Sequence, residues 1–433
     1  MTDVAQWVHV APAQWTRGRI KNLIASATNG TWGTEPDEIG DNVHCIRAAD
    51  FDRNKRRAKI NQAPLRSVDA SSFRNHQLKP GDLVLEKSGG GEKQPVGMAV
   101  LFEGPGKAVC SNFCARISPE RDADPRFLTY VFAAAYGQGL IQSAIKQTTG
   151  IQNLDAGAFF SASWAYPGLD DQRRIADFLD AETAHVDRAT HLRNRQKELL
   201  SLRRWAHFQD ALDATPTEII PLRRVIRSVI DGPFGSAFSS ADYTLEGAAV
   251  VRLGNIGFAD YKVSEQARIP MGLYAKLRYH EVKAGDVLIA ALGDARNHAG
   301  RACVAPDLGP AIVKGKCFRA RIEEGVADSE FIALLLSSPI GASAVEGRGS
   351  TRSMINLEIL KSALLPVPSL GEQQRLAADH RRIWGRTAAA IAACERQLSL
   401  LAERRQALIT AAVTGQFDVS TASGRNVTDG VHA

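Results

Sequence analysis

Tyr166-Pro-Gly-Leu-Asp-Asp-Gln-Arg173 returns later in the chain as Val367-Pro-Ser-Leu-Gly-Glu-Gln-Gln374, 201 residues on. The pairing is one of a collinear series. Asn29-Gly-Thr-Trp-Gly33 corresponds to Asp231-Gly-Pro-Phe-Gly235, and Lys79-Pro-Gly-Asp82 to Lys283-Ala-Gly-Asp286. Asp124-Pro-Arg-Phe-Leu128 corresponds to Asp328-Ser-Glu-Phe-Ile332, and Ile151-Gln-Asn-Leu-Asp155 to Met354-Ile-Asn-Leu-Glu358. The offsets drift only from 201 to 204, which chance does not give in series. A period near 200 is too long for a solenoid unit, so it denotes a duplicated domain.

Each copy has the same layout. A mixed segment comes first, with β-rich runs such as Leu83-Val-Leu85 and Asp286-Val-Leu-Ile-Ala290, glycine and proline turns, and short helices. A proline gate follows, Tyr166-Pro167 or Pro366-Val-Pro368, and disfavours helix in the residue before it. Beyond each gate lies a stretch nearly free of glycine and proline, interrupted only by Gly371 and Gly385. In the second stretch Trp384, Thr387, Ile391, Cys394, Leu398 and Leu401 follow a 3-4 spacing, the seam of a coiled coil. The first carries a less regular stripe of Ile175, Leu179, Val186, Ala189, Leu192, Leu199 and Leu202. About 40 residues at 1.5 Å each make a helix of ~60 Å, whose apolar stripe needs a cover. Two such helices in one chain most simply pair with each other, antiparallel if the repeats are related by a pseudo-two-fold. The alternative is that each packs on its own domain.

The fold class expected is therefore α+β: two similar mixed domains separated by two long helices in an antiparallel coiled coil. The first mixed domain is 1–168, the central helix 169–214, the second domain 215–368 and the C-terminal helix 369–418. Residues 419–433 are polar and rich in Gly, Ser and Thr, and read as a disordered tail.

Composition agrees with a globular chain. Among 433 residues, 44% are hydrophobic and 23% charged, which excludes wholesale disorder. The net charge of +6 permits an acidic partner without demanding one. Six cysteines (Cys45, Cys110, Cys114, Cys303, Cys317 and Cys394) form no CxxC and have no zinc spacing. No metal site is therefore expected, and a reducing cytoplasm is the expected compartment. Met1–Val10 lacks the pattern of a signal peptide, and no apolar run approaches the ~18 residues of a membrane span.

Catalytic motifs are missing. A DNA methyltransferase needs a glycine-rich cofactor turn and an Asn/Asp-Pro-Pro-aromatic loop. Asp231-Gly-Pro-Phe234 has glycine where the first proline belongs. Gly89-Gly-Gly91 lacks the P-loop pattern and reads as a turn between strands. No HExxH, GxSxG or kinase set occurs.

Basic clusters are present in both copies. The clearest in the first is Arg53, Lys55, Arg56, Arg57 and Lys59. The second has Arg296-Asn297, Arg301, Lys314, Lys316, Arg348 and Arg352. Arginine and asparagine suit base edges and lysine suits phosphate, although any one cluster is equally a solvated loop. These residues are the candidate DNA contacts. Ile175, Leu179, Val186, Leu199, Leu202, Trp384, Ile391, Leu398 and Leu401 are the candidate helix-packing or partner contacts.

At the helices the chain resembles the specificity subunit of type I restriction-modification enzymes. The resemblance is carried by Leu365-Pro-Val-Pro-Ser-Leu-Gly-Glu-Gln-Gln-Arg375, by Glu403-Arg-Arg-Gln-Ala-Leu-Ile-Thr-Ala-Ala-Val-Thr-Gly-Gln-Phe-Asp418, and by the central copy Tyr166–Ile175 with Lys197–Arg204. Asp231-Gly-Pro-Phe-Gly-Ser236 and Val250-Val-Arg-Leu-Gly-Asn-Ile256 also resemble family motifs. The first domain departs at Thr28–Gly33, and the central copy ends in Arg204-Trp-Ala-His-Phe208 without the full C-terminal motif. The resemblance implies two domains that each read half of a bipartite site in double-stranded DNA. The helices would fix the spacing and dock DNA methyltransferase (modification) subunits, two copies being expected. A restriction/translocase subunit would join the complex, and the chain itself would be non-catalytic and bind no cofactor. Two rivals are a specificity subunit for a type II enzyme with fused methylase and nuclease, and a coiled-coil scaffold that binds no DNA. A catalytic methyltransferase or nuclease acting alone is disfavoured by the missing motifs.

Overall fold

The computed structural model describes residues 9–37, 42–91, 94–148, 151–233, 239–263, 267–295, 297–345 and 354–419. The expected tail lies almost wholly outside them. The chain divides into two compact units, Met1–Asn194 with Glu395–Ala433, and Arg195–Cys394. The boundaries fall inside the two long helices, Leu169–Asp213 and Leu370–Val413, so each unit holds one mixed domain and half of each helix. The α+β class and the two long helices are as expected.

Among the described residues, the main sheet of the first unit has the order Ile24–Asn29, Cys114–Pro119, Leu83–Glu86, Ala99–Leu101, Arg57–Ala58, Phe51–Asp52. That of the second unit runs Ile226–Asp231, Cys317–Ile322, Val287–Ala290, Ala302–Val304, which repeats the first four places. A smaller sheet also recurs. Asn42–Ile46 pairs in parallel with Ala108–Cys110 and antiparallel with Leu65–Ser67. Its counterpart Ala248–Val251 pairs in parallel with Ala311–Val313 and antiparallel with Arg268–Ile269. Leu83-Val-Leu85 and Val287-Leu-Ile289 are fully buried, the all-apolar pattern of strands covered on both faces.

The proline gates are strands. Ser163–Tyr166 pairs with Thr16–Arg19, and Leu364–Pro368 with Thr217–Pro221. Immediately after each gate a glutamine is buried, Gln172 at 1% exposure and Gln373 at 0%. Gln172 Oε1 accepts from the Asp124 N–H (2.9 Å), and its Nε2 donates to the carbonyls of Asp122 and Pro167. Gln373 does the same with Asp328 N–H (2.9 Å) and the carbonyls of Val326 and Pro368. Asp124 and Asp328 in turn N-cap the helices Pro125–Gly137 and Ser329–Ser337. One buried amide thus locks the helix start, the gate and a capped domain helix together in each unit, satisfying backbone groups that burial would leave unpaired.

Within each unit the two helix halves run antiparallel. In the first, Asp187 pairs with Arg405 and the Phe178 ring packs at a tilt on Phe417. Ile175, Leu179, Ile409, Ala412 and Val413 join the domain core. In the second, Trp205 stacks on His380 at 5.7 Å, and Arg375 donates to Thr215 Oγ1 at 3.3 Å. Phe208, Leu212, Leu376 and Ala377 complete the core there. Val186 is buried, and Trp384, Ile391, Leu398 and Leu401 are half-buried. Leu199 and Leu202 are instead 50% and 56% exposed. The inward face at that point carries Arg204, Phe208 and Leu212, because the true stripe passes through an arginine that apolar periodicity skips. All six cysteines are buried and free.

Candidate nucleic-acid interface

The basic cluster of the first copy sits on a loop that docks on the helices. Arg56 adopts the left-handed conformation (φ 54°) and is 9% exposed. Burial and the nearby Arg405 push its pKa down to about 10. Arg57 pairs with Glu103 (2.7 Å) and Asp180 (3.7 Å), and Arg53 with the buried Glu86 (3.4 Å). Arg405 donates to the Asn54 carbonyl. Lys55 and Lys59 remain exposed. In the second unit the equivalent loop places Ala259 at φ 61°, and its Phe258 packs edge-on to Trp205 at 6.5 Å. Arg204, the repeat counterpart of Arg405, lies between the rings of Trp205 (4.3 Å) and Trp384 (3.8 Å), with its pKa lowered to about 10 by burial. This loop is therefore a domain-to-helix joint in both units, ionic in one and aromatic in the other.

Arg301 is also committed inward. It is 5% exposed and donates to the carbonyls of Ile256 (3.0 Å), Leu292 (3.1 Å), His298 (3.0 Å) and Leu253 (3.4 Å). These bonds tie two loops together, 253–256 and 292–298, and commit four of the five guanidinium N–H donors to backbone. Asn297 is half-buried and folds back on Asp294, with 3.0 Å contacts. Arg296, Arg348 and Arg352 lie outside the described residues, as does Phe234–Ser236 of the repeat motif.

Lys314 and Lys316 stand on the tip of a tight turn that carries the chain from the small sheet to the main sheet, and this turn has a twin in the first unit. The turns Ser111-Asn-Phe-Cys114 and Lys314-Gly-Lys-Cys317 are each closed by an i to i+3 bond, of 2.8 and 3.1 Å. Each enters through a bond to the parallel strand of the small sheet, Ser111 N–H to Ile46 O and Lys314 N–H to Val251 O. Gly30 and Gly232, the glycines of the early repeat motif, lie flat against the two tips. A Cβ at Gly30 would overlap the carbonyls of Cys110 and Ser111, and one at Gly232 would overlap Lys314. The Phe113 carbonyl accepts from Lys87 and Ser88 N–H, and the Lys316 carbonyl from Ala291 N–H. Ser88 continues to Asn153 through a 2.7 Å side-chain bond, and Leu292 bridges Met354. In each unit, then, a glycine turn, a pinned sheet-to-sheet turn and the loop after the central buried strand converge.

The side chains at these tips differ. Phe113 is 51% exposed beside exposed Asn112, and Ile151 nearby in the fold is 51% exposed. Lys316 is exposed with φ 70°, while Lys314 Nζ bonds Tyr243 Oη at 2.6 Å. Trp32 of the glycine motif is 36% exposed and carries the Arg66 guanidinium 4.5 Å above its ring. Residue typing alone passes over Asn112, Phe113 and Tyr243. The 203-residue offset that sets Ser111–Phe113 against Lys314–Lys316 was the available signal. Among the described residues no group of three or more His, Cys, Asp or Glu could hold a metal ion. None of the described helices is long and apolar enough to cross a membrane.

No family model matches the chain. Among curated proteins, the type I restriction enzyme StySPI specificity subunit of Salmonella potsdam is 21% identical over 317 residues, covering 70% of this chain and 67% of that protein. Among solved structures, a chain from a study of complex assembly and conformational transition in the type I R-M system aligns with TM-score 0.65 and 17% identity, over 94% of this chain and 99% of its own length. The HsdS subunit from Thermoanaerobacter tengcongensis aligns over 94% of this chain and 98% of its own, with TM-score 0.46 and 16% identity. The resemblance drawn from the helix motifs is thus matched by a relative in sequence and by a shared fold.

Proposed function

We propose that this chain is the sequence-reading specificity subunit of a type I restriction-modification complex. Each mixed domain, 1–168 and 215–368, reads one half of an asymmetric bipartite site in duplex DNA. The observation that carries this reading is the pair of equivalent turn tips, Ser111–Phe113 and Lys314–Lys316. They have the same backbone anchors and different side chains. One fold used twice with different tips suits a site whose halves differ.

The helices 169–214 and 369–418 set the separation of the half-sites and dock the modification subunits, two copies in the complete complex. A restriction/translocase subunit joins the assembly, which works in the cytoplasm. The chain binds neither methyl donor nor ATP. Its work is differential binding: exposed lysines supply a salt-dependent phosphate term, and contacts to base edges contribute about 1–3 kcal/mol for each good bidentate pair. Flipping the target base into the partner's pocket then costs a few kcal/mol.

The test is co-expression with the neighbouring methyltransferase in a methylation-free host, followed by genome-wide mapping of methylated bases. One bipartite asymmetric motif that disappears without this chain is the expected outcome. Methylation that is unchanged when the chain is removed would refute the reading.

A further inference from the structure

We propose that the two turn tips read different base pairs: Asn112 and Phe113 an A·T pair in one half-site, and Lys316 a G·C pair in the other. The proposal rests on the specificity-subunit reading above and adds the chemistry each half-site must present.

The first tip carries no formal charge. Ser111 is buried, and Asn112 and Phe113 point the turn's exposed chemistry outward. Its neighbours across the hydrogen-bonded loop are Ser88 and Asn153, joined to each other, and the exposed Ile151 two strand positions beyond. An asparagine amide offers one donor and one acceptor side by side, which matches the N7 acceptor and N6 donor of adenine in the major groove. The half-exposed Phe113 ring offers an apolar face, and the apolar group on that groove wall is the thymine methyl. Both partners of a single base-pair type are thus matched by adjacent residues on one turn. Two amide N–H groups, from Lys87 and Ser88, hold the Phe113 carbonyl and fix the turn's direction.

The second tip is cationic. An ammonium group donates only, and guanine is the base that shows two adjacent acceptors, N7 and O6, in the major groove. The two lysines are not alike. Lys314 is braced by Tyr243, both through the hydroxyl at 2.6 Å and by the ring face at 4.9 Å. Lys316 is exposed and held at φ 70°, where glycine is the ordinary residue, by a closed turn and a carbonyl pinned to Ala291. A lysine that only neutralised phosphate gains nothing from a strained backbone, whereas a base reader needs its Cα fixed.

The test uses the chain in complex with its methyltransferase and compares methylated motifs for wild type, the double variant Asn112→Ala/Phe113→Ala, Phe113→Leu, Lys316→Ala and Lys316→Arg. The double variant should relax discrimination at an A·T position in one half-site by roughly ten- to a hundredfold. Phe113→Leu, which keeps the apolar contact, should retain most of it. Lys316→Ala should relax a G·C position in the opposite half-site, with Lys316→Arg preserving it. The assignment is overturned if the double variant relaxes a G·C position or leaves both halves intact. It is also overturned if Lys316→Ala weakens all sequences uniformly, the behaviour of a phosphate contact. Absence of any bipartite motif with the wild-type chain would instead overturn the underlying functional reading, so the two failures are distinguishable. Unchanged hydrogen exchange outside the tips confirms that each variant is folded.

Discussion

Replacing Gln172 with leucine tests how each domain is joined to its helix. Leucine has a similar volume and keeps the helix, but it removes one acceptor and two donors. The Asp124 N–H and the carbonyls of Asp122 and Pro167 then lose their partner at a site where Gln172 is 1% exposed. A buried group left unsatisfied costs about 1–3 kcal/mol, with carbonyls toward the low end because they tolerate under-satisfaction better than N–H groups. Asp124 also caps the helix Pro125–Gly137 through Arg126 and Phe127 N–H, and a loosened cap adds up to about 1 kcal/mol. The expected loss is about 3–5 kcal/mol, a large share of a domain's ordinary 5–15 kcal/mol. Urea unfolding of the full chain, followed by hydrogen exchange resolved by peptide, measures it. Exchange should rise across 122–137 and 167–180 and stay unchanged across 326–337 and 368–380. Gln373→Leu should give the mirror result. A loss under about 1 kcal/mol, or equal loosening of both units, would refute the claim that the amide is a local lock.

Four further outcomes follow from the same geometry. Burial, with Arg204 and His207 nearby, lowers the His380 pKa from 6.5 to about 4, so the unfolded chain binds a proton that the folded one refuses. Stability of the second unit is therefore full above pH ~6.5 and falls as the pH drops toward ~4, by roughly 2 kcal/mol at pH 5; a His380→Phe variant with the same slope would count against this. Lys316→Gly should stabilise the second unit by about 1 kcal/mol, because it relieves a left-handed φ, and should weaken DNA discrimination in the same protein; thermal melting and motif mapping read the two effects. Gly232→Ala should displace the Lys314 turn and cost recognition of one half-site, with Gly30→Ala costing the other, and loss of the same half in both variants would sink the equivalence of the tips. Arg301→Ala should act as a folding defect, seen as raised exchange around 253–256 and 292–298, since its donors end on backbone carbonyls.

The 201-to-204 offsets are enough to establish a duplicated domain, because both copies need the same buried glutamine, capping aspartate and glycine turn in the same order. The 3-4 stripe from Trp384 to Leu401 likewise exposes a long helix, since apolar periodicity is a local property of the chain. The stripe through Leu199 and Leu202 misled because the buried position beside it holds Arg204, whose stem and guanidinium lie between two indole rings.

What the amino-acid sequence determined by itself was thus the repeat, the two helices and the mixed character of each domain. Only the tertiary structure decided where the charges go. Arg53, Arg56 and Arg57 read as one basic cluster, yet Glu86, Glu103 and Asp180, distant in the chain, draw two of them into ion pairs beside the helix while Arg56 is buried there. Arg301 reads as a base reader, yet four carbonyls from two loops occupy it. The tips at Asn112–Phe113 and Lys316 carry no local signature, and become a surface only when strands far apart in sequence bring their anchors together. A side chain's apolar period is set by its near neighbours, but the destination of a guanidinium is set by whichever acceptors the fold delivers to it.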